Sequence, residues 1–129
     1  MKYLISAMLI VPATIHLLPL SGVLGGERLT ALYGLSFDEA NLGILMRHRA
    51  VLLGMLGVFF LVAAFRPSLQ PLAFIAGFVS VVPFLWLVWS TGGYNDQVWR
   101  VFIADVAALV CLLIGSTAYV FATRNVTGQ

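Results

Sequence analysis

The chain has 129 residues, of which 61% are hydrophobic and 9% charged, with a mean hydropathy of +1.03. Soluble domains carry about 25% charged residues, so this sequence cannot cover a water-facing surface, and lipid is the solvent it suits. The formal net charge of +2 is small and dispersed, without the Lys/Arg stripe that phosphate binding requires, which argues against a nucleic acid partner.

A spanning helix needs roughly 20 apolar residues. Four apolar stretches qualify: Tyr3 to about Leu24, about Asn41 to Phe65, Ser68 to Ser90, and Val98 to Ala122. The connections are Gly25–Ala40, Arg66–Pro67 and Thr91–Gln97. The expected fold is all-α, an integral membrane four-helix bundle forming one domain over residues 1–129.

The first stretch has a basic start at Lys2, as a signal peptide does. It lacks a clear Ala-x-Ala site, and Pro12 and Pro19 interrupt it, so it is read as a retained helix. Each Pro frees the carbonyl four residues before it, here those of Met8 and Ile15, and a kink is expected around His16. A lone His in an apolar helix is usually a satisfied structural group. The sharper reading is a proton-transfer residue or ligand contact, because His titrates near neutral pH.

Ser36-Phe37-Asp38-Glu39 fits a capping box, which predicts a second helix starting near Phe37 with Ser36 as N-cap. Running to Phe65, it would measure about 43 Å at 1.5 Å per residue, longer than a hydrocarbon core of about 30 Å. Arg66-Pro67 ends it, since Pro disfavours helix at the residue before it. That tight turn predicts antiparallel packing of the second and third helices. Gly43, Ala50, Gly54 and Gly57 form one stripe on the second helix, and Ala73, Gly77 and Ser80 another on the third. Ala104, Ala107, Ala108, Cys111, Gly115, Ala118 and Ala122 recur at three- and four-residue spacing on the fourth. In lipid such stripes let backbones approach closely; a face for a homo-oligomer is the alternative use. Cys111, the single cysteine, reads as a small packing residue, and a disulfide framework or thiolate site is excluded.

Polar chemistry gathers toward one end of the bundle. Along the helix axes Arg49 lies about 25 Å from Arg66, Asp105 about 28 Å from Arg124, and His16 about 21 Å from Lys2. A charge at a helix centre costs about 2.5–3.5 kcal/mol and less near the interface. Pairing Asp105 with Arg47, Arg49 or Arg100 would lower that cost. The plain reading is a structural ion pair; the functional one is a ligand-binding layer of His16, Arg47, His48, Arg49, Arg100 and Asp105. Arg47 lies about 50° from the small-residue stripe and is expected to face the bundle, with His48 about 150° away and Arg49 intermediate. A haem between His16 and His48 is disfavoured because His48 turns away from the packing face. A metal site is not expected, since no ligand cluster appears. Trp86, Trp89 and Trp99 read as an interfacial belt or as an apolar lid.

Lys2, Arg66 and Arg124 share one side without an acid; Arg28, Arg47, Arg49 and Arg100 mix with acids on the other. The acid-free side is read as the cytoplasmic one, which puts both termini in the cytoplasm of a multi-pass protein of the bacterial inner membrane.

The segment Leu45-Met46-Arg47-His48-Arg49-Ala50, followed by the Gly54/Gly57 stripe, resembles small bacterial four-helix membrane proteins, DoxX-like in architecture. Similar sequences sometimes carry the label phosphopantetheine adenylyltransferase, an α/β enzyme whose His-x-Gly-His motif is missing here; that label is rejected. Arg-x-Arg-Ala is also similar to glutathione-using four-helix membrane enzymes, but their neighbouring Asn and Glu are replaced by Leu and Gly types. Two functions follow: a pocket for a lipid, quinone or similar amphipathic molecule, or an accessory or structural subunit of a larger membrane complex. The sequence names no cofactor and leaves open whether the chain is an enzyme.

Overall fold

A computed structural model describes residues 1–36 and 38–127. The described residues contain helices and no strand: α1 (Lys2–Leu17), a 3₁₀ segment (Leu18–Leu24), α2 (Gly26–Tyr33), α3 (Ala40–Phe65), a 3₁₀ turn (Pro67–Leu69), α4 (Gln70–Thr91) and α5 (Asp96–Thr127). The chain has four helical segments long and apolar enough to cross a membrane: Lys2–Leu24, Ala40–Phe65, Pro67–Thr91 and Asp96–Thr127.

α1 passes through Pro12 as an α-helix and tightens into 3₁₀ geometry at Leu18. The change falls next to Pro19, which has no N–H to give the Ile15 carbonyl, while Leu18 keeps right-handed helical dihedrals. α1 is flanked by α3 and α5, α4 packs chiefly on α5, and the contact between α3 and α4 is smaller. The short Arg66–Pro67 connection does reverse the chain, yet α1 rather than α4 is the main partner of α3. Small residues explain the choice. A Cβ on Gly57 would lie 2.8 Å from the Leu17 Cγ and 3.0 Å from the Ala13 carbonyl oxygen. A Cβ on Gly115 would lie 2.9 Å from the Met8 Cβ. α1 can come this close to both neighbours only because they carry no side chain at these points. Leu9, Phe60 and Leu112 fill the core between them. Ala107, grouped by spacing with the α5 stripe, is instead exposed, whereas Ala108, Gly115 and Ala118 are buried.

The start of α3 differs from the capping-box expectation. Phe37 lies outside the described residues, and the helix begins at Ala40 with Glu39 itself as N-cap. The Glu39 carboxylate accepts from the amides of Asn41 (3.1 Å) and Leu42 (2.7 Å). A full negative charge at the positive end of the helix dipole favours this arrangement. The Ser36 hydroxyl donates to the Asp38 carboxylate instead of capping. α3 is consequently 26 residues long, about 39 Å.

The segment expected as a connection, Gly25–Ala40, holds α2. Gly25 (φ +146°) and Gly34 (φ +67°) bracket this helix in backbone conformations that favour glycine. Its Leu29 is fully buried, and Leu29 and Tyr33 pack against Met46 of α3 and Val101 of α5. α2 is thereby folded over the end of the bundle opposite the chain termini.

Two outcomes follow. Gly57→Ala, meeting a backbone carbonyl that cannot rotate away, is expected to destabilise the protein by about 1–3 kcal/mol. Gly54→Ala meets only the movable Leu20 side chain and is expected to lower the melting temperature less; thermal melts in detergent compare the two. The amide bonds from Leu42 and Asn41 hold the Glu39 carboxyl below its usual pKa. The cap is therefore complete above the ordinary glutamate range and is lost as pH falls through the lowered value. Hydrogen exchange at Asn41 and Leu42 should accelerate over that acidic window, and Glu39→Gln should remove the pH dependence.

Candidate functional site

His16 occupies the last turn of α1. Its Nδ1 donates to the Pro12 carbonyl at 2.8 Å, since a carbonyl can only accept. In the neutral ring Nε2 then accepts from the Ser80 hydroxyl of α4 at 2.9 Å. The ring stands edge-on to Phe60, with centroids 5.1 Å apart. His16 is thus buried with both nitrogens engaged.

Arg49, one turn before the Gly54 contact on α3, donates to the Tyr33 hydroxyl at 2.5 Å. Its guanidinium carbon lies 5.5 Å from the Tyr33 ring centroid. Tyr33 is fixed in turn by α5, because the Asn95 side chain donates to its carbonyl at 2.7 Å. The other end of the Asn95 amide accepts from the Val98 N–H at 2.9 Å and caps α5. One side chain therefore both starts α5 and ties down the end of α2.

These groups surround a cavity of about 290 Å³. His16, Tyr33, Arg49, Ser80, Gln97, Arg100 and Asp105 give it polar atoms, and Ile15, Leu32, Leu53, Phe84 and Val101 give it apolar wall. All five helices contribute. Asp105 is half-buried and lies about 14 Å along α5 from Asp96. Among the described residues it forms no ion pair. The Asp105 pairing considered from the sequence is thus not made: Arg49 goes to Tyr33, and Asp105 and Arg100 face the same open space.

Of the six residues singled out in the sequence, four meet at this cavity: His16, Arg49, Arg100 and Asp105. Arg47 and His48 do not line it and are exposed. Arg47, expected to face the bundle, instead reaches toward Gly25, where its Nη2 lies 3.8 Å from the position of a Cβ. The physical reason is α2, whose Tyr33 hydroxyl draws Arg49 inward. His48 and His16 do not share the cavity, so they do not make a facing pair. Trp86, Trp89 and Trp99 are exposed and do not line the cavity either; Trp99 stacks between Tyr94 and Phe102.

Sequence reasoning missed Tyr33, Ser80 and Gln97. Gly34 after Leu29, Leu32 and Tyr33 was a readable helix C-terminus. Ser80 reads from its spacing as a small packing residue. Gln97 reads from composition as part of a loop, although it sits in the first turn of α5.

No protein-family model, curated protein or solved structure matches the chain.

Removing the Tyr33 hydroxyl leaves the inward Arg49 without its acceptor. Hydrogen bonds to charged groups contribute about 1.5–3 kcal/mol, so Tyr33→Phe is expected to lower stability by about that amount. It should also raise hydrogen exchange across residues 26–33, whereas Tyr94→Phe should leave both unchanged.

Proposed function

We propose that this chain is a multi-pass protein of the bacterial inner membrane whose cavity, in the outer leaflet, binds the head of a lipid, quinone or similar small amphipathic molecule. Both termini lie in the cytoplasm in this reading.

What carries the proposal is the state of the charges. Arg49, Arg100 and Asp105 border one cavity without closing into an ion pair. In a medium of low dielectric, opposite charges act strongly on what lies between them. This arrangement suits a guest that offers an acceptor to the guanidinium groups and a donor to the carboxylate. Apolar walls with a few convergent polar groups are the usual make-up of a ligand pocket. At about 290 Å³ the space is at the lower end of the range for such pockets, roughly 300–1,000 Å³. It suits a headgroup or a single ring, with the apolar tail left among the outward-facing side chains. Those faces are apolar, with Met55, Ile75, Val79 and Leu87 all exposed.

Native mass spectrometry of protein gently released from membranes tests the reading. The wild type should retain a small amphipathic molecule. Asp105→Asn and Arg49→Gln should lose it, while Arg47→Ala, outside the cavity, should keep it. Wild-type protein with no small molecule, or retention indifferent to both cavity variants, would overturn the proposal. A retained protein subunit in its place would support the accessory role instead.

A further inference from the structure

His16 bridges Ser80 and the Pro12 carbonyl through its two ring nitrogens. A hydroxyl within hydrogen-bond reach of an imidazole, whose second nitrogen is fixed by another group, is the arrangement that activates a serine nucleophile. Here the nucleophile–base distance is 2.9 Å and the base–orienter distance is 2.8 Å, the orienter being the Pro12 carbonyl. The orienter holds the hydrogen on Nδ1 and leaves Nε2 as the basic nitrogen. Both side chains border the cavity, and the Arg49 side chain lines it too.

We propose that Ser80 and His16 form a catalytic dyad that cleaves an ester of an amphipathic acyl compound. The inference takes the cavity of the preceding reading as open to such a molecule. The Ser80 Oγ bonds to the ester carbonyl carbon while its proton passes to the His16 Nε2. The bond from that carbon to the alkoxy oxygen then breaks, and the leaving alcohol takes the proton from Nε2. The acyl group now rests on Ser80. Water enters, gives a proton to Nε2 and adds to the carbonyl carbon. The bond to Oγ breaks, and Ser80 recovers its proton from His16. The sum is ester plus water giving acid plus alcohol. A purely structural pair has the same hydrogen bond in the resting protein but no enhanced reactivity at Ser80.

An alkyl fluorophosphonate distinguishes the two with the full-length protein in detergent. It reports on the first step alone: an Oγ–P bond forms, the P–F bond breaks, fluoride departs and the proton goes to His16. The wild type should gain one phosphonyl group per chain, on the peptide containing Ser80. Labelling should vanish in Ser80→Ala and stay unchanged in Ser90→Ala. General bases contribute about 10²–10⁴-fold, so His16→Asn should slow labelling at least about 100-fold. Circular dichroism melts ensure that the variants are compared as folded protein. Absence of label on the wild type, label on another residue, or equal rates in wild type and His16→Asn would overturn the dyad. Wild-type protein that retains an amphipathic ligand by native mass spectrometry yet takes no label rejects the dyad and leaves the binding reading standing. Label on Ser80 without any retained ligand supports the dyad and counts against that reading.

Discussion

The arrangement depends on how closely α1 approaches its two neighbours. Gly57 lets the Ala13 backbone come against α3, and Gly115 does the same for Met8 against α5. In a bilayer, where lipid tails are as apolar as Leu, contact at such short range is what draws helices together. With α1 drawn in, its last turn delivers His16 to the side of α4 that carries Ser80. Gly77 makes room on α4 in the same way, since a Cβ there would lie 2.7 Å from Leu112 of α5. The polar layer is thus positioned by residues that have no polar atoms in their side chains.

Above this contact, the electrostatics and the fold constrain one another. A charged side chain within an apolar span is tolerated when it finds donors, acceptors or a wet cavity. Arg49 finds the Tyr33 hydroxyl, which is available only because α2 folds back over the bundle. Asn95 holds that fold-back by bonding the Tyr33 carbonyl. Gly34 completes the joint: its left-handed backbone leaves no Cβ to strike Gln97 and Asn95. The site is therefore built by a short helix, two glycines and one asparagine that carry none of its charge.

The four long apolar helices were legible from hydropathy, because each apolar run is long enough to form one. The reversal at Arg66-Pro67 was legible because proline dictates the backbone around it. The Gly54/Gly57 stripe and the gathering of His16, Arg49, Arg100 and Asp105 near one end followed from helical rise alone. The direction of Arg47 and Arg49 was not legible. Two residues apart on a helix, they point about 160° from each other, so a modest error in locating the buried face exchanges their roles. The side chain that decides between them belongs to α2, eight residues long and too short to announce itself by periodicity. Ser80 was hidden for a different reason: beside Ala73 and Gly77 a serine reads as one more small residue, and only its distance to His16 gives it a second identity.

The brevity of α2 bears on how the cavity would hold a guest. Isolated helices shorter than about 12–15 residues are marginal in water, so α2 stays ordered through its docking by Leu29, Tyr33 and Asn95 rather than through its own backbone. Leu32 and Tyr33 form part of the cavity wall, so the wall and the docking are one equilibrium. A guest that touches them adds its binding free energy to the order of α2, and the undocking frequency of that helix then sets an upper bound on how fast a guest can leave by that side.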